Sequence, residues 1–164
     1  MKLNITIGFS AFAIFFSLFF NTPRVYAFDS QPKKIIIPSV NISLDVHPAK
    51  IMFDTWEVNL DGASFGESST LPGNKGNTVI VSHTIDRLFG RLDKIKEGDS
   101  IHVFTDVDWF TYKVVSIQVV QPEEIGILAS HNQYELTLYT CTKDPLYSKR
   151  FVVKATLQQN TSGM

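Results

Sequence analysis

The sequence predicts an all-β domain: a small closed or nearly closed barrel of about eight strands with one or two short helical turns. Three observations lead there. Apolar and β-branched residues recur in short runs or in strict alternation, Gly, Pro, Asn and Asp punctuate those runs, and one brief stretch alone has helical spacing. In order, residues 35–37 (three isoleucines) form a strand stopped by Pro38. Val40, Ile42, Leu44 and Val46 alternate with polar residues as far as Pro48, the period of a half-buried strand. Residues 51–58 are a weaker strand candidate. Residues 61–76 are rich in Gly and Ser, include Pro72-Gly73, and read as a loop. Residues 78–82 make a short buried strand. Leu88, Phe89, Leu92 and Ile95 have the spacing of a helical turn or two. Gly98-Asp99 ends that turn and leads into a strand at 101–105. Residues 109–120 are a long β-branched and aromatic strand ended by Pro122. Residues 134–140 and 151–157 are the last two strands, and 158–164 a polar tail.

Ahead of the barrel, residues 3–20 are mostly apolar and uncharged. Eighteen such residues are about enough to cross a bilayer as a helix, and Val25-Tyr26-Ala27 offers a small-x-small cleavage site. Residues 1–27 therefore read as a signal anchor or a cleaved signal peptide, and 28–34 as a polar linker. Either reading places the barrel, residues 35–157, on the extracytoplasmic side of a membrane. The 137 residues from 28 onward suit one domain with a hydrophobic core of its own. Setting aside Lys2 and Arg24, 13 basic residues face 16 acidic ones, a formal charge of −3. With no basic run and no basic-aromatic stripe, a nucleic-acid partner is not indicated; Lys33-Lys34 is too short a cluster to mean more than a solvated linker or a weak headgroup contact.

Cys141 is the only cysteine of the chain, so no internal disulfide is possible. A lone cysteine is more often a small buried hydrophobe than a nucleophile. Strand parity argues otherwise here. Leu136 and Leu138 fall on one face of their strand; Glu135, Thr137, Tyr139 and Cys141 fall on the other. In the last strand Phe151, Val153, Ala155 and Leu157 form the apolar face, with Arg150, Val152, Lys154 and Thr156 opposite. Cys141 and Arg150 thus point away from the core. They flank an eight-residue connection that most simply joins antiparallel neighbours, which brings the two side chains within about 5–8 Å. A thiol beside a guanidinium on an accessible face is an activating environment. His83 sits at the end of the 78–82 strand, where barrels place working residues. An ordinary thiol is only a few per cent thiolate at neutral pH; an imidazole can favour the thiolate and protonate a leaving amine, and a guanidinium can steady an oxyanion. His47, His102 and His131 have no metal-ligand spacing with one another or with Cys141.

These residues reach a family. The run Thr137-Leu138-Tyr139-Thr140-Cys141 matches the T-L-x-T-C pattern of the sortases, cysteine transpeptidases of mainly Gram-positive bacterial surfaces, and the chain resembles them over about residues 35–157. Arg150 matches the arginine that opens their last strand. Residues 76–83 resemble the strand leading to their histidine, and Phe89, Leu92, Ile95, Gly98, Asp99 and Ile101 match the segment after it. The resemblance implies an eight-stranded sortase-like β-barrel behind an N-terminal membrane segment. It implies that Cys141 attacks the Thr–Gly carbonyl of an LPxTG-like sorting signal, with His83 as acid/base and Arg150 stabilising the oxyanion or holding the peptide. Thr140 becomes a candidate substrate-binding residue. An amine then releases the acyl-enzyme: a lipid-linked cell-wall precursor, a pilin lysine or, failing those, water.

Departures are visible. Ser82 stands where many relatives outside the best-known group have Gly, and the short Cys141–Arg150 connection looks more like the minimal groups than the pilin-polymerising one. No cofactor or metal site is expected. Asp54, Glu57, Asp61 and Glu67 are the nearest approach to the calcium site of some members, which leaves calcium dependence open. Two other classes compete: an exported barrel that binds peptide or cell-wall material with an inert cysteine, and another thiol enzyme of the wall. Against the latter, His precedes Cys in the chain, and Ser82-His83 is followed by Thr84-Ile85 rather than Gly-Cys.

Overall fold

The structure, a computed structural model, describes residues 30–52 and 55–158. The expected membrane segment and most of the polar tail lie outside the described residues. Among those described, no helix is long and apolar enough to cross a membrane.

Eight strands close into a barrel: β1 (Lys34–Ile37), β2 (Ile42–Ala49), β5 (Ala63–Gly66), β6 (Gly76–Val81), β7 (Ser100–Phe104), β8 (Trp109–Val120), β9 (Tyr134–Cys141) and β10 (Arg150–Leu157). Around the barrel the order is β1-β2-β5-β6-β9-β10-β8-β7, and β7 pairs back onto β1. Two pairs are parallel, β2 with β5 and β6 with β9; the others are antiparallel. Closure removes the exposed edges that an open sheet would present.

The expected number of strands holds, but one member changes. Residues 51–58 do not enter the barrel. They hold β3 (Ile51–Met52) and β4 (Thr55–Trp56), a two-stranded hairpin beside it. The eighth barrel strand is β5, inside the stretch read as a loop. Its residues Ala63-Ser64-Phe65-Gly66 lack the β-branched signature of a strand, yet all four are buried. Smallness is the reason: a Cβ at Gly66 would lie 2.6 Å from the Trp56 ring, so only glycine lets that indole rest on the strand.

The helical spacing at 88–95 becomes a 3₁₀ segment, Phe89–Lys94, whose Phe89 and Leu92 enter the core. Gly98, at φ +88°, makes the turn into β7. Two further 3₁₀ segments, Pro38–Val40 and Ile125–Leu128, complete the regular structure described. Between Lys154 and Ala155 the register of β10 against β8 shifts, which leaves Val115 without a partner. This bulge moves the inward set of β8 from Phe110, Tyr112 and Val114 to Ile117, so one long strand follows the barrel's curvature. The barrel interior is aliphatic and aromatic; each fully buried Leu, Ile or Val there contributes roughly 1.5–3 kcal/mol.

Candidate active site

The site is built on the outside of the barrel, over the β6–β9–β10 part of the sheet. The β9–β10 register places Arg150 directly opposite Cys141 and Val152 opposite Tyr139. Residues so opposed have Cβ atoms about 4.5–5.5 Å apart. The parity argument therefore holds: Leu136, Leu138, Val153 and Ala155 belong to the core, while Cys141 and Arg150 face out.

Above this floor lies a cavity of about 490 Å³, with Cys141, His83, Arg150, Thr140 and Tyr139 in its lining. Pro122, Ile125 and Leu128 of the β8–β9 connection form one wall; Ile51, Trp56 and Val58 of the hairpin region form another. Sequence reasoning missed these walls. The signal available was the apolar set Ile125, Ile127 and Leu128 in a connection too short and broken for a strand. All three expected chemical residues thus share one cavity, with the half-buried thiol lying in a largely apolar trough.

His83 follows β6, and the backbone around it is held from four directions. Ser82 N–H donates to Tyr139 O at 3.2 Å, and Phe89 N–H donates to His83 O at 3.1 Å. The Thr140 hydroxyl donates to Ser82 O at 2.7 Å, and the Ser82 hydroxyl donates to Gly62 O at 3.0 Å. Ser82 is thereby buried and satisfied. Thr140 lines the cavity, but its hydroxyl proton is directed at the peptide just before His83, fixing the histidine's position relative to Cys141 next door. The His83 Nε2 itself is buried and has no hydrogen-bond partner among the described residues. A buried polar atom without a partner costs about 1–3 kcal/mol.

Arg150 is held by the β9–β10 connection. Its Nη1 donates to Tyr147 O at 3.0 Å and to Lys149 O at 3.1 Å. Tyr147 has left-handed backbone, φ 49°, a conformation uncommon for a bulky residue. Asp144 stabilises it. The Asp144 carboxylate accepts from Leu146 N–H at 3.1 Å, from Ser148 N–H at 3.0 Å and from the Thr142 hydroxyl, while Asp144 O accepts from Tyr147 N–H at 3.0 Å. The Thr142 hydroxyl and these backbone N–H groups lower the Asp144 pKa to about 2. Tyr139 adds an aromatic side chain beside the guanidinium. Burial pushes its phenol up from the ordinary value, and the Arg150 charge and hydrogen bond partly oppose that. Parity set Tyr139 on the face of Cys141 but gave no sign of this contact.

Lys143 links the two loops of the site, with its Nζ 3.3 Å from Asp93 and 3.8 Å from Asp86; exposed pairs of this kind contribute at most about 1 kcal/mol. Of the four acidic residues considered for calcium, Asp54 lies outside the described residues and Asp61 pairs with Arg87 at 3.4 Å. Among the described residues no three His, Cys, Asp or Glu side chains gather as a metal-ligand set.

The sequence matches the family model of the sortase domain over residues 35–158. Sortase A of Bacillus anthracis is 30% identical over 127 residues, covering 76% of this chain and 58% of that protein. Sortase A of Listeria monocytogenes is 29% identical over 138 residues, covering 82% and 60%. The chain thus spans about three fifths of the length of these curated relatives. Among solved structures, a Listeria monocytogenes sortase A superimposes with a TM-score of 0.68 at 28% identity, covering 80% of this chain and 89% of that one. A Clostridium perfringens sortase D5 transpeptidase gives 0.67 at 26% identity, covering 78% and 79%. The chain belongs to the sortase family.

Proposed function

We propose that this protein is a cysteine transpeptidase that joins secreted proteins bearing an LPxTG-like sorting signal to an amine. The observation that carries the reading is the shared cavity of Cys141, His83 and Arg150, with Cys141 and Arg150 as register partners. Cys141 Sγ attacks the carbonyl carbon of the motif's Thr, and the thiol proton passes by way of His83 to the departing Gly amine as the amide bond breaks. Arg150 faces the developing oxyanion or the peptide carbonyls. Thr140 positions His83 through the Ser82 carbonyl. An incoming amine, from a lipid-linked peptidoglycan precursor or a pilin lysine, then replaces sulfur at the same carbon; water does so as a side reaction. Residues 1–27 hold the enzyme at the outer face of the cell membrane as a single-pass anchor, or direct its secretion if cleaved. Residues 28–34 serve as a spacer.

The test is incubation of the protein with a panel of fluorogenic LPxTG-type peptides, with and without an amine such as triglycine, followed by intact-mass analysis. Cleavage, an acyl adduct on Cys141 and transfer to the amine are expected. Binding of the peptides without turnover would replace this reading with the binding barrel.

A further inference from the structure

The groove does not stop at the catalytic end. A second cavity of about 270 Å³ adjoins the first and shares Trp56, Ser68, Ile125 and Leu128 with it. Every described residue of its lining is uncharged, and the parts not shared are mostly small or hydroxyl-bearing, with Ala129 and Ser130 exposed at its rim. Asn77, in its floor, is already committed: its amide nitrogen donates to Leu128 O at 3.1 Å, and its oxygen accepts from the Thr137 hydroxyl at 2.8 Å.

Position along the sheet sets what can reach it. Val79 and Asn77 of the lining pair with Thr137 and Glu135 of β9, four and six residues before Cys141. At about 3.3 Å per residue the second cavity lies roughly 13–20 Å from the thiol along the strands. An extended peptide advances at nearly the same rise. Direction follows from the proposed reaction, on which this inference rests. Between the two half-reactions the acyl part must stay bound while one amine leaves and another enters. The walled groove therefore holds the acyl side, and the open side by residues 142–149 is left to amines.

We propose that the second cavity is a subsite for the substrate polypeptide just ahead of the sorting motif, the fourth to sixth residues before the acylated one. It selects small, uncharged or hydroxyl-bearing residues, because a charge drawn into this lining would lose water and find no counter-ion among its described residues. The experiment compares kcat/KM of the full-length protein on a short LPxTG-type peptide beginning at its Leu with three extended versions, carrying three added serines, lysines or aspartates. The serine extension is expected to raise kcat/KM by about fivefold or more over the short peptide, and the charged extensions to bring no gain. Ala129→Trp, and separately Ser130→Phe, should erase the serine-to-short ratio by filling the cavity. Equal rates on short and serine-extended peptides overturn the subsite, and a gain that survives both substitutions overturns its location. A gain from lysine or aspartate overturns the selection for uncharged residues. No cleavage of any peptide overturns the transpeptidase reading and the subsite with it.

Discussion

Strands β9 and β10 have two faces of opposite character, alternating residue by residue. The inner face, Leu136 and Leu138 with Val153 and Ala155, is sealed in the barrel core. The outer face is also largely covered, since Thr137 and Val152 are fully buried. Its cover is different in kind: a 3₁₀ connection, a small hairpin and side chains that leave a trough between them. One set of residues uses burial for cohesion. Its neighbours use burial to shape a pocket lined by a thiol, an imidazole and a guanidinium. The difference teaches that stability and chemistry can be separated on a single hairpin by choosing odd or even positions.

The separation can be broken most directly at Cys141. Cys141→Ala should reduce peptide cleavage to background, roughly 10³-fold or more, with a melting temperature within about 2–4 °C of wild type. His83→Ala and Arg150→Ala should each cost orders of magnitude in kcat/KM; near-normal activity of either would overturn the role proposed for it. The converse substitution is Leu138→Ala, three residues away on the inner face. It should cost about 2–5 kcal/mol in urea unfolding, while each molecule still folded turns over peptide at close to the normal rate. A large loss of turnover at an unchanged urea midpoint would show that the two faces are not separable.

How much of this was legible beforehand depended on the range of the determining contacts. Parity needs only a regular strand, so the outward placement of Cys141 and Arg150 followed from alternation in residues 134–141 and 150–157. The long β8 was legible from its β-branched and aromatic run. Strand β5 was not, because its strand character comes from neighbours rather than from its own side chains: Phe65 fills the core, and Gly66 makes room for an indole ten residues earlier. The same indole explains the error at 51–58, where a strand-like composition serves a hairpin that walls the groove. The Thr140–Ser82 hydrogen bond joins residues 58 positions apart, and the Tyr139–Arg150 contact depends on side-chain reach across two strands. Neither has a local signature.

Smaller effects should sharpen the comparison at the connection that follows Cys141. Asp144 is not among the residues that line the cavity, yet it holds the loop whose carbonyls orient Arg150. Asp144→Ala should lower kcat/KM by about tenfold, and that loss should vanish when Arg150 is already alanine, since residues acting through one group are not additive. A full tenfold loss in the Arg150→Ala background would mean that Asp144 acts elsewhere.

The smallest effect concerns the carboxylate itself. Its pKa is lowered from the ordinary 3.8 to about 2 in the folded protein. A lowered folded pKa means that ionisation favours the native loop above pH 3.8 and that this contribution is lost as pH falls through about 2. Carbon-detected NMR titration of Asp144 should give a midpoint near 2, and Thr142→Val, which removes the hydroxyl that lowers it most, should move the midpoint back toward 3.8. Because the carboxylate is only partly buried and lies in a surface loop, little change in global stability should accompany that shift. The brace is local, and its effect should appear at Arg150 rather than in the core. A midpoint near 3.8 in the unsubstituted protein would mean that Asp144 does not organise the loop in solution. The tenfold loss expected of Asp144→Ala would then lose its physical basis.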